Sequence, residues 1–545
     1  MPEIQNPILR GFNPDPSIVR VGDEYYIATS TFEWYPGVQI HHSRDLRHWR
    51  LLTRPLRRAS QLNMLGDPDS CGIWAPCLSH DGKLFHLIYT DVKRYGRTSV
   101  GGAAGASLRD FHNYLVTAET IDGTWSDPVY LNSSGFDPSL FHDDDGRKWL
   151  LNMLWDHRPG NNRFAGIVAQ EYSPEEGKLV GERVNIFPGT ALGLTEAPHL
   201  YKRDGWYYLL TAEGGTGWNH AVTMARSRKL LGPYELHPDA YILSARNRPD
   251  APLQRAGHAD LVETPAGETY MVYLCGRPLR NRGRCVLGRE TAIQKVRWQN
   301  GWLYTEDRQG MPALHTPAPD LPDHPFPPSP ERDDFDSPVL GIDFQWLRTP
   351  WPEKLFSLTA RPGYLRLYGR ESIGSLFHQA LVARRQQAHC YTAETVMDFE
   401  PAHFQQAAGL VCYYGANKFH YLHVTHDDAH GRHLRVMSAL PDAPVGDAFT
   451  QPVAIPPGPI GLRVEVDEER LWFAWRTGGG TWQRLPQTFD ASLLSDEAQM
   501  PGSPNFTGAF VGMACQDMAG TARHADFDYF LYRERGYLPD PFATA

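Results

Sequence analysis

No stretch of the 545 residues approaches the run of roughly 18 apolar residues that a membrane-spanning helix needs, so none is expected. The first residues, from Met1 to Pro7, carry neither a basic segment nor an apolar one, and no secretory signal is expected. Cysteine is scarce. The seven stand at 71, 77, 275, 285, 390, 412 and 515, an odd number without a Cys-x-x-Cys pair. That pattern is a poor disulfide framework and a poor zinc site, and it reads as reduced, buried thiols in a cytoplasmic protein. Basic charge is also short: 53 Lys and Arg against 63 Asp and Glu give a net charge of −10. A phosphate-backbone partner normally requires a basic excess, so no nucleic acid is expected. Helical periodicity is almost absent, while 49 glycines and 44 prolines imply many turns.

What is present is a repeat. Five segments share one shape and begin at Asp15, Trp74, Asp137, Glu196 and His258, with steps of 59, 63, 59 and 62 residues. Each opens with a polar or aromatic residue, continues with small or turn-forming residues and enters an apolar strand. A glycine turn then follows at Gly22, Gly82, Gly146, Gly205 or Gly267, and after it an aromatic-rich strand such as Trp206-Tyr207-Tyr208-Leu209-Leu210. These are β-hairpins. The run Asp143-Asp144-Asp145-Gly146 belongs to such a turn, because it lacks the spacing of a calcium loop. Five hairpin-led units of this length predict an all-β fold, a five-bladed β-propeller over residues 1–311, whose five opening positions ring one end of the central channel.

The text changes after that. Residues 312–331 hold eight prolines and read as an extended linker, either packed along a surface or spacing two domains. From Arg332 onward, segments such as Gly461-Leu462-Arg463-Val464-Glu465-Val466 alternate at strand length. A β-sandwich of the jelly-roll or concanavalin-like kind is expected over 332–545.

Three of the five ring positions are carboxylic acids: Asp15, Asp137 and Glu196. An Asp-Pro pair alone only starts a turn. Three acids directed at one axis repel unless one is protonated or paired, and such a cost marks a functional site. Acids in a sugar-sized cavity with aromatic neighbours suit glycoside hydrolysis, in which one carboxylate is base or nucleophile and another is the acid.

Asn13-Pro14-Asp15-Pro16-Ser17, Gly72-Ile73-Trp74-Ala75-Pro76, Phe136-Asp137-Pro138-Ser139, Thr195-Glu196-Ala197-Pro198-His199 and Leu287-Gly288-Arg289-Glu290-Thr291 resemble glycoside hydrolase family 43. The resemblance runs over essentially the whole chain, to Asn505-Phe506-Thr507-Gly508, and is nearest to the family's two-domain β-xylosidases. It implies Asp15 as general base, Glu196 as general acid, and Asp137 as the acid that orients Glu196 and raises its pKa. It also implies Phe32, Trp74 and Trp155 as aromatic walls, Arg289 on sugar hydroxyls, His258 near the channel centre and Phe506 as the residue that closes the pocket.

The implied activity is exo-acting, inverting release of D-xylose from β-1,4-xylo-oligosaccharides, with an α-L-arabinofuranosidase side reaction. The rival readings are a main α-L-arabinofuranosidase and a non-catalytic carbohydrate-binding propeller. The retaining fructan-cleaving propellers begin Asn-Asp-Pro-Asn-Gly, which is absent here. No cofactor is required by this chemistry and no metal is assigned to the site. A divalent ion such as calcium stays open for the channel at His258, or for Asp333, Asp334, Asp336, Asp526 and Asp528 in the second domain. The expected partners are the xylo-oligosaccharide substrate and like chains in a homo-oligomer, with no membrane.

Overall fold

The computed structural model describes residues 2–95, 108–280, 282–439, 448–498 and 505–536. Residues 537–545, the end of the expected second domain, lie outside it. Five antiparallel blades, four of four strands and one of five, surround a channel. Their innermost strands are Ser17–Val21, Gly72–His80, Ser139–His142, Glu196–Arg203 and Gln254–Glu263. Blades pack face to face, so their middle strands are buried on both sides; Thr269–Gly276 is buried throughout. That is why these strands read as aromatic and apolar runs without alternation. Leu210 and Tyr208 meet Met271 and Tyr273 between blades four and five, and Ile18 and Tyr25 meet Val262 and Tyr270 between blades five and one.

Each inner strand has a residue in the left-handed region just before it or within it: Asp15 (φ 56°), Ala75 (37°), Asp137 (54°), Ala197 (51°) and His258 (50°). For residues with a side chain this costs of order 1–3 kcal/mol each and persists only where the surroundings fix it. These five positions define the true register, with steps of 60, 62, 60 and 61 residues. Four of them are followed by proline. Trp74 and Glu196 therefore stand one residue before the left-handed position, level with Phe136. The sequence spacing placed them level with Asp15 and Asp137, and that alignment is corrected by one residue.

The ring closes through side chains as well as strands. Asp260 in blade five accepts hydrogen bonds from Ser17 Oγ (2.9 Å) and the Ile18 amide (2.8 Å) in blade one. At the rim, Glu3–Gln5 pairs with His315–Pro317, and the Asn6 amide donates to the Ile293 and Ala313 carbonyls. The proline-rich linker runs along the propeller surface: the Ala318 amide donates to Pro2, the His324 amide donates to Asp45, and Phe326 lies under Arg50 at 4.7 Å.

The second domain is a sandwich of two nine-stranded sheets. One of its edge strands comes from the propeller. Trp34–Tyr35, in a loop of the first blade, pairs with Phe344–Leu347, placing Tyr35 opposite Trp346 and Trp34 opposite Leu347. Trp34 is fully buried and stacks on Phe510 of the sandwich with centroids 3.7 Å apart and planes at 12°. The hydrophobic core runs on through this junction, joining Ile73 and Leu78 of the propeller to Leu410 and Val511 of the sandwich.

Two of the five acids considered for calcium have arginine partners. Asp526 is held by Arg366 (2.7 Å) and Arg361 (2.9 Å), and Asp334 pairs with Arg332. Among the described residues they are not among the groups of His, Cys, Asp and Glu that converge as metal ligands.

Replacing Trp34 by alanine should cost about 3–5 kcal/mol, the range for removing a large buried aromatic. Chemical denaturation of the full chain should show the propeller and the sandwich losing stability together. Two transitions, with the propeller midpoint unmoved, would show that the domains do not depend on this contact.

Candidate active site

The loops at one end of the channel enclose a cavity of about 340 Å³, lined by Asp15, Asp137, Glu196, His258 and Arg289 with Phe32, Trp74, Phe136 and Phe506. The three acids are almost fully buried. Their surroundings differ. Asp15 is faced by two donors: Arg289 Nη1 at 2.7 Å on one oxygen and Ser30 Oγ at 2.7 Å on the other. Ser30 is itself fixed, because its oxygen accepts from the Ala75 amide at 2.7 Å. Two donors on two oxygens match a carboxylate anion.

Neither Asp137 nor Glu196 has such a partner. Burial, and then the negative charge of Asp15, push Glu196 up to about 8, against a pull downward from Arg289. Burial, followed by the charges of Glu196 and Asp15, pushes Asp137 well above the ordinary carboxylate range. The Ala197 amide bonded to Asp137 works in the opposite sense. Three like charges cannot coexist in so small a volume, and the arginine decides which is the anion. The pocket thus holds one hydrogen-bonded carboxylate and a neighbouring pair that retains protons near neutrality.

His258 stands beside both aspartates, its Nδ1 3.7 Å from Asp15 and 4.0 Å from Asp137. Burial, His199 and Arg289 hold its imidazole well below the ordinary value, so the ring is neutral. A neutral imidazole next to ionisable acids can accept or donate a hydrogen bond, or face an ion in the channel, without adding charge.

The aromatic wall is continuous. Trp74 lies 5.6 Å from Phe32, 5.5 Å from Phe136 and 5.4 Å from Phe506, the last two edge to face. Its indole N–H donates to the Ser70 carbonyl at 3.0 Å, which fixes the ring plane. Phe506 arrives from the sandwich. Its amide donates to Ser70 Oγ (3.1 Å) and its carbonyl accepts from Arg289 Nη2 (3.0 Å). The approach is close: Gly288 has φ +69°, and a Cβ there would lie 2.5 Å from the Thr507 carbonyl oxygen.

A family model described as glycosyl hydrolases family 43 matches residues 4–303. The chain belongs to that family. A second model, the β-xylosidase C-terminal concanavalin A-like domain, matches residues 332–533. The family member from Humicola insolens named xylosidase/arabinosidase 43B is 55% identical over 98% of each chain. A β-xylosidase of Bacillus subtilis is 49% identical over 98% of this chain and 100% of its own. The crystal structure of a xylan β-1,4-xylosidase from Bacillus halodurans superposes with a TM-score of 0.93 at 52% identity, covering 97% of this chain and 100% of that one.

Of the residues singled out in the sequence, eight line the family 43 pocket: Asp15, Asp137, Glu196, Phe32, Trp74, His258, Arg289 and Phe506. Trp155 does not. It stands behind the wall, 6.2 Å from Tyr95, 5.7 Å from Phe111 and 5.8 Å from Phe164, and it supports rings that do reach the cavity. Sequence reasoning missed Tyr95, Phe136, Phe164, Leu194, Gly215 and Thr216 on the lining. A signal existed for Phe136, which immediately precedes a left-handed Asp-Pro as Glu196 precedes Ala197-Pro198. Tyr95, Leu194, Gly215 and Thr216 lie on loops and Phe164 opens the strand Phe164–Ser173, and no repeat indexes them.

If Glu196 must be protonated to act, activity should fall as pH rises through about 8. The charge that raises Glu196 is that of Asp15, not Asp137, so Asp137→Asn should leave the alkaline limb of kcat in place. A pH–rate profile whose alkaline limb moves down in Asp137→Asn would show that Asp137 carries a charge beside Glu196.

Proposed function

We propose that the chain is an exo-acting, inverting β-xylosidase that releases D-xylose from the non-reducing ends of β-1,4-xylo-oligosaccharides and also cleaves α-L-arabinofuranosides. One observation carries the assignment of roles: of three buried acids in one pocket, only Asp15 is bonded to an arginine and a hydroxyl, while Glu196 is pushed up to about 8. Asp15 takes a proton from a water as that water attacks the anomeric carbon. Glu196 gives its proton to the departing glycosidic oxygen as the carbon–oxygen bond breaks. Asp137 moves no proton in this scheme. Through the Ala197 amide it touches the backbone that carries Glu196.

The aromatic faces of Phe32, Trp74 and Phe506 suit the C–H face of a pentose. Because Phe506 comes from the second domain, the cavity is bounded by both domains, which favours a chain end over the middle of a polymer. The reaction needs no cofactor in this reading. A divalent ion in the channel, such as calcium, would meet the neutral imidazole of His258, and neither proton transfer depends on it. All seven cysteines are free and buried, which supports a reducing, cytoplasmic setting.

Two relatives frame the specificity. The 55% identical protein is named for both xylosidase and arabinosidase activity, and a 46% identical protein of a Vibrio species is named xylan 1,3-β-xylosidase. Initial rates of one preparation on β-1,4-xylobiose, β-1,3-xylobiose and an aryl α-L-arabinofuranoside test the reading, and β-1,4-xylobiose should be cleaved fastest.

Proton NMR early in xylobiose hydrolysis should show α-xylose before mutarotation. Initial β-xylose would make Asp15 a nucleophile. Glu196→Ala should slow xylobiose hydrolysis by about 10²–10⁴-fold, the usual contribution of a general acid, and slow an activated aryl xyloside far less. Equal losses on both substrates would remove Glu196 from the role of acid.

A further inference from the structure

A second cavity, of about 410 Å³, lies where the first blade, the linker and the sandwich meet, and it shares no residue with the xylose-sized pocket. Six arginines line it against one acid, Asp343. Arg10 and Arg47 have carboxylate partners in Glu534 and Asp323. The three deepest do not share that arrangement. Arg54, Arg384 and Arg385 are 4%, 7% and 6% exposed.

Arg54 donates only to neutral acceptors, Gln39 Oε1 at 3.0 Å and the Ile342 carbonyl at 2.6 Å. Arg385 donates to the Phe12 carbonyl at 2.6 Å and to Gln345, and its Nη2 is buried with no partner. Arg384 Nε is likewise unpartnered, its Nη2 is 3.3 Å from Gln387 Oε1, and Asp343 is 3.8 Å away.

An arginine cannot discharge itself by losing a proton under ordinary conditions, and buried charges are normally paired. Here three guanidiniums share one partial counter-charge. Burial and mutual repulsion drive Arg385 well below its ordinary value, and burial drives Arg54 to about 9. The neighbouring His41 is pushed down to about 3 by burial, Arg385 and Arg54, so it adds no charge of its own. His48 is engaged by Asp45 at 2.6 Å.

We propose that this cavity is a binding site for inorganic phosphate, held by the guanidinium groups of Arg54, Arg384 and Arg385. Planar N–H forks suit a tetrahedral oxyanion, because two parallel hydrogen bonds can fall on two of its oxygens. The more exposed Arg50, at the rim with Phe326 of the linker beneath it, adds attraction at the entrance. Asp343 can accept from the hydroxyl of hydrogenphosphate, so the single acid is compatible with this ligand.

The test is calorimetric titration of the dialysed full chain with inorganic phosphate, in chloride buffer of matched ionic strength, with thermal melting alongside. One equivalent should bind per chain, and phosphate should raise the melting midpoint more than chloride does. Arg385→Met is the direct variant, but it also loses the bond to Phe12 and can fail to fold. Arg384→Met gives up the bond to Gln387, the 3.8 Å pairing with Asp343 and the contact with the Tyr532 ring, and should weaken phosphate binding at least tenfold. Absence of a stoichiometric site, or a site that Arg384→Met leaves intact, would overturn the proposal.

Discussion

The active site depends on one guanidinium. Arg289 donates from one nitrogen to Asp15 and from another to the Phe506 carbonyl. The first bond supplies the charge that lets one of three crowded acids remain an anion. The second ties that charge to the loop by which the sandwich closes the pocket. Arg289 is buried, so solvent screens neither bond, and removal of the side chain would leave an unpaired buried carboxylate, which is costly. Electrostatic differentiation of the acids and physical closure of the cavity are therefore set by the same residue.

Around that contact the propeller acts as a device for convergence. A blade has a buried inner edge, and five such edges meet at an axis without any helix to fill it. Side chains at the start of each inner strand then have nowhere to point but at one another. In blades one, three and five the left-handed residue itself, Asp15, Asp137 or His258, lines the pocket, joined in blade three by the preceding Phe136. In blades two and four it is an alanine, and the preceding Trp74 or Glu196 takes that place. The strain of five such positions is accepted because each is over-determined by strand pairing and by packing between blades.

Much of this was legible before any coordinates. Repetition made Asp15, Asp137, Glu196, Trp74 and His258 visible, because equal spacing in a closed ring implies a common direction. The one-residue difference in register between alternate blades was not visible, since backbone handedness is not written in residue type when alanine and aspartate serve alike. Trp155 illustrates a second limit. A strand's sequence says which face a ring occupies, but not whether another ring stands in front of it, and here Tyr95 and Phe164 do. The sandwich was readable as alternating strands, and Phe506 was reached through family resemblance. The arginines at the domain junction gave no signal at all, because the residues that surround them come from three distant parts of the chain.

The strand Trp34–Tyr35 has a consequence in time as well as in space. It belongs by sequence to the first blade, yet its hydrogen-bonding partner, Phe344–Leu347, emerges from the ribosome only after the entire propeller has been made. Until then the nascent chain presents an unpaired edge and a bare indole. Long-range pairing of this kind is slow to form, because loop closure must be achieved before the contact rewards it. Until the sandwich is made, the sugar pocket lacks Phe506. Competence for catalysis therefore arrives last and all at once, when the final strands of the sandwich seat Phe510 on Trp34 and bring Phe506 to the mouth.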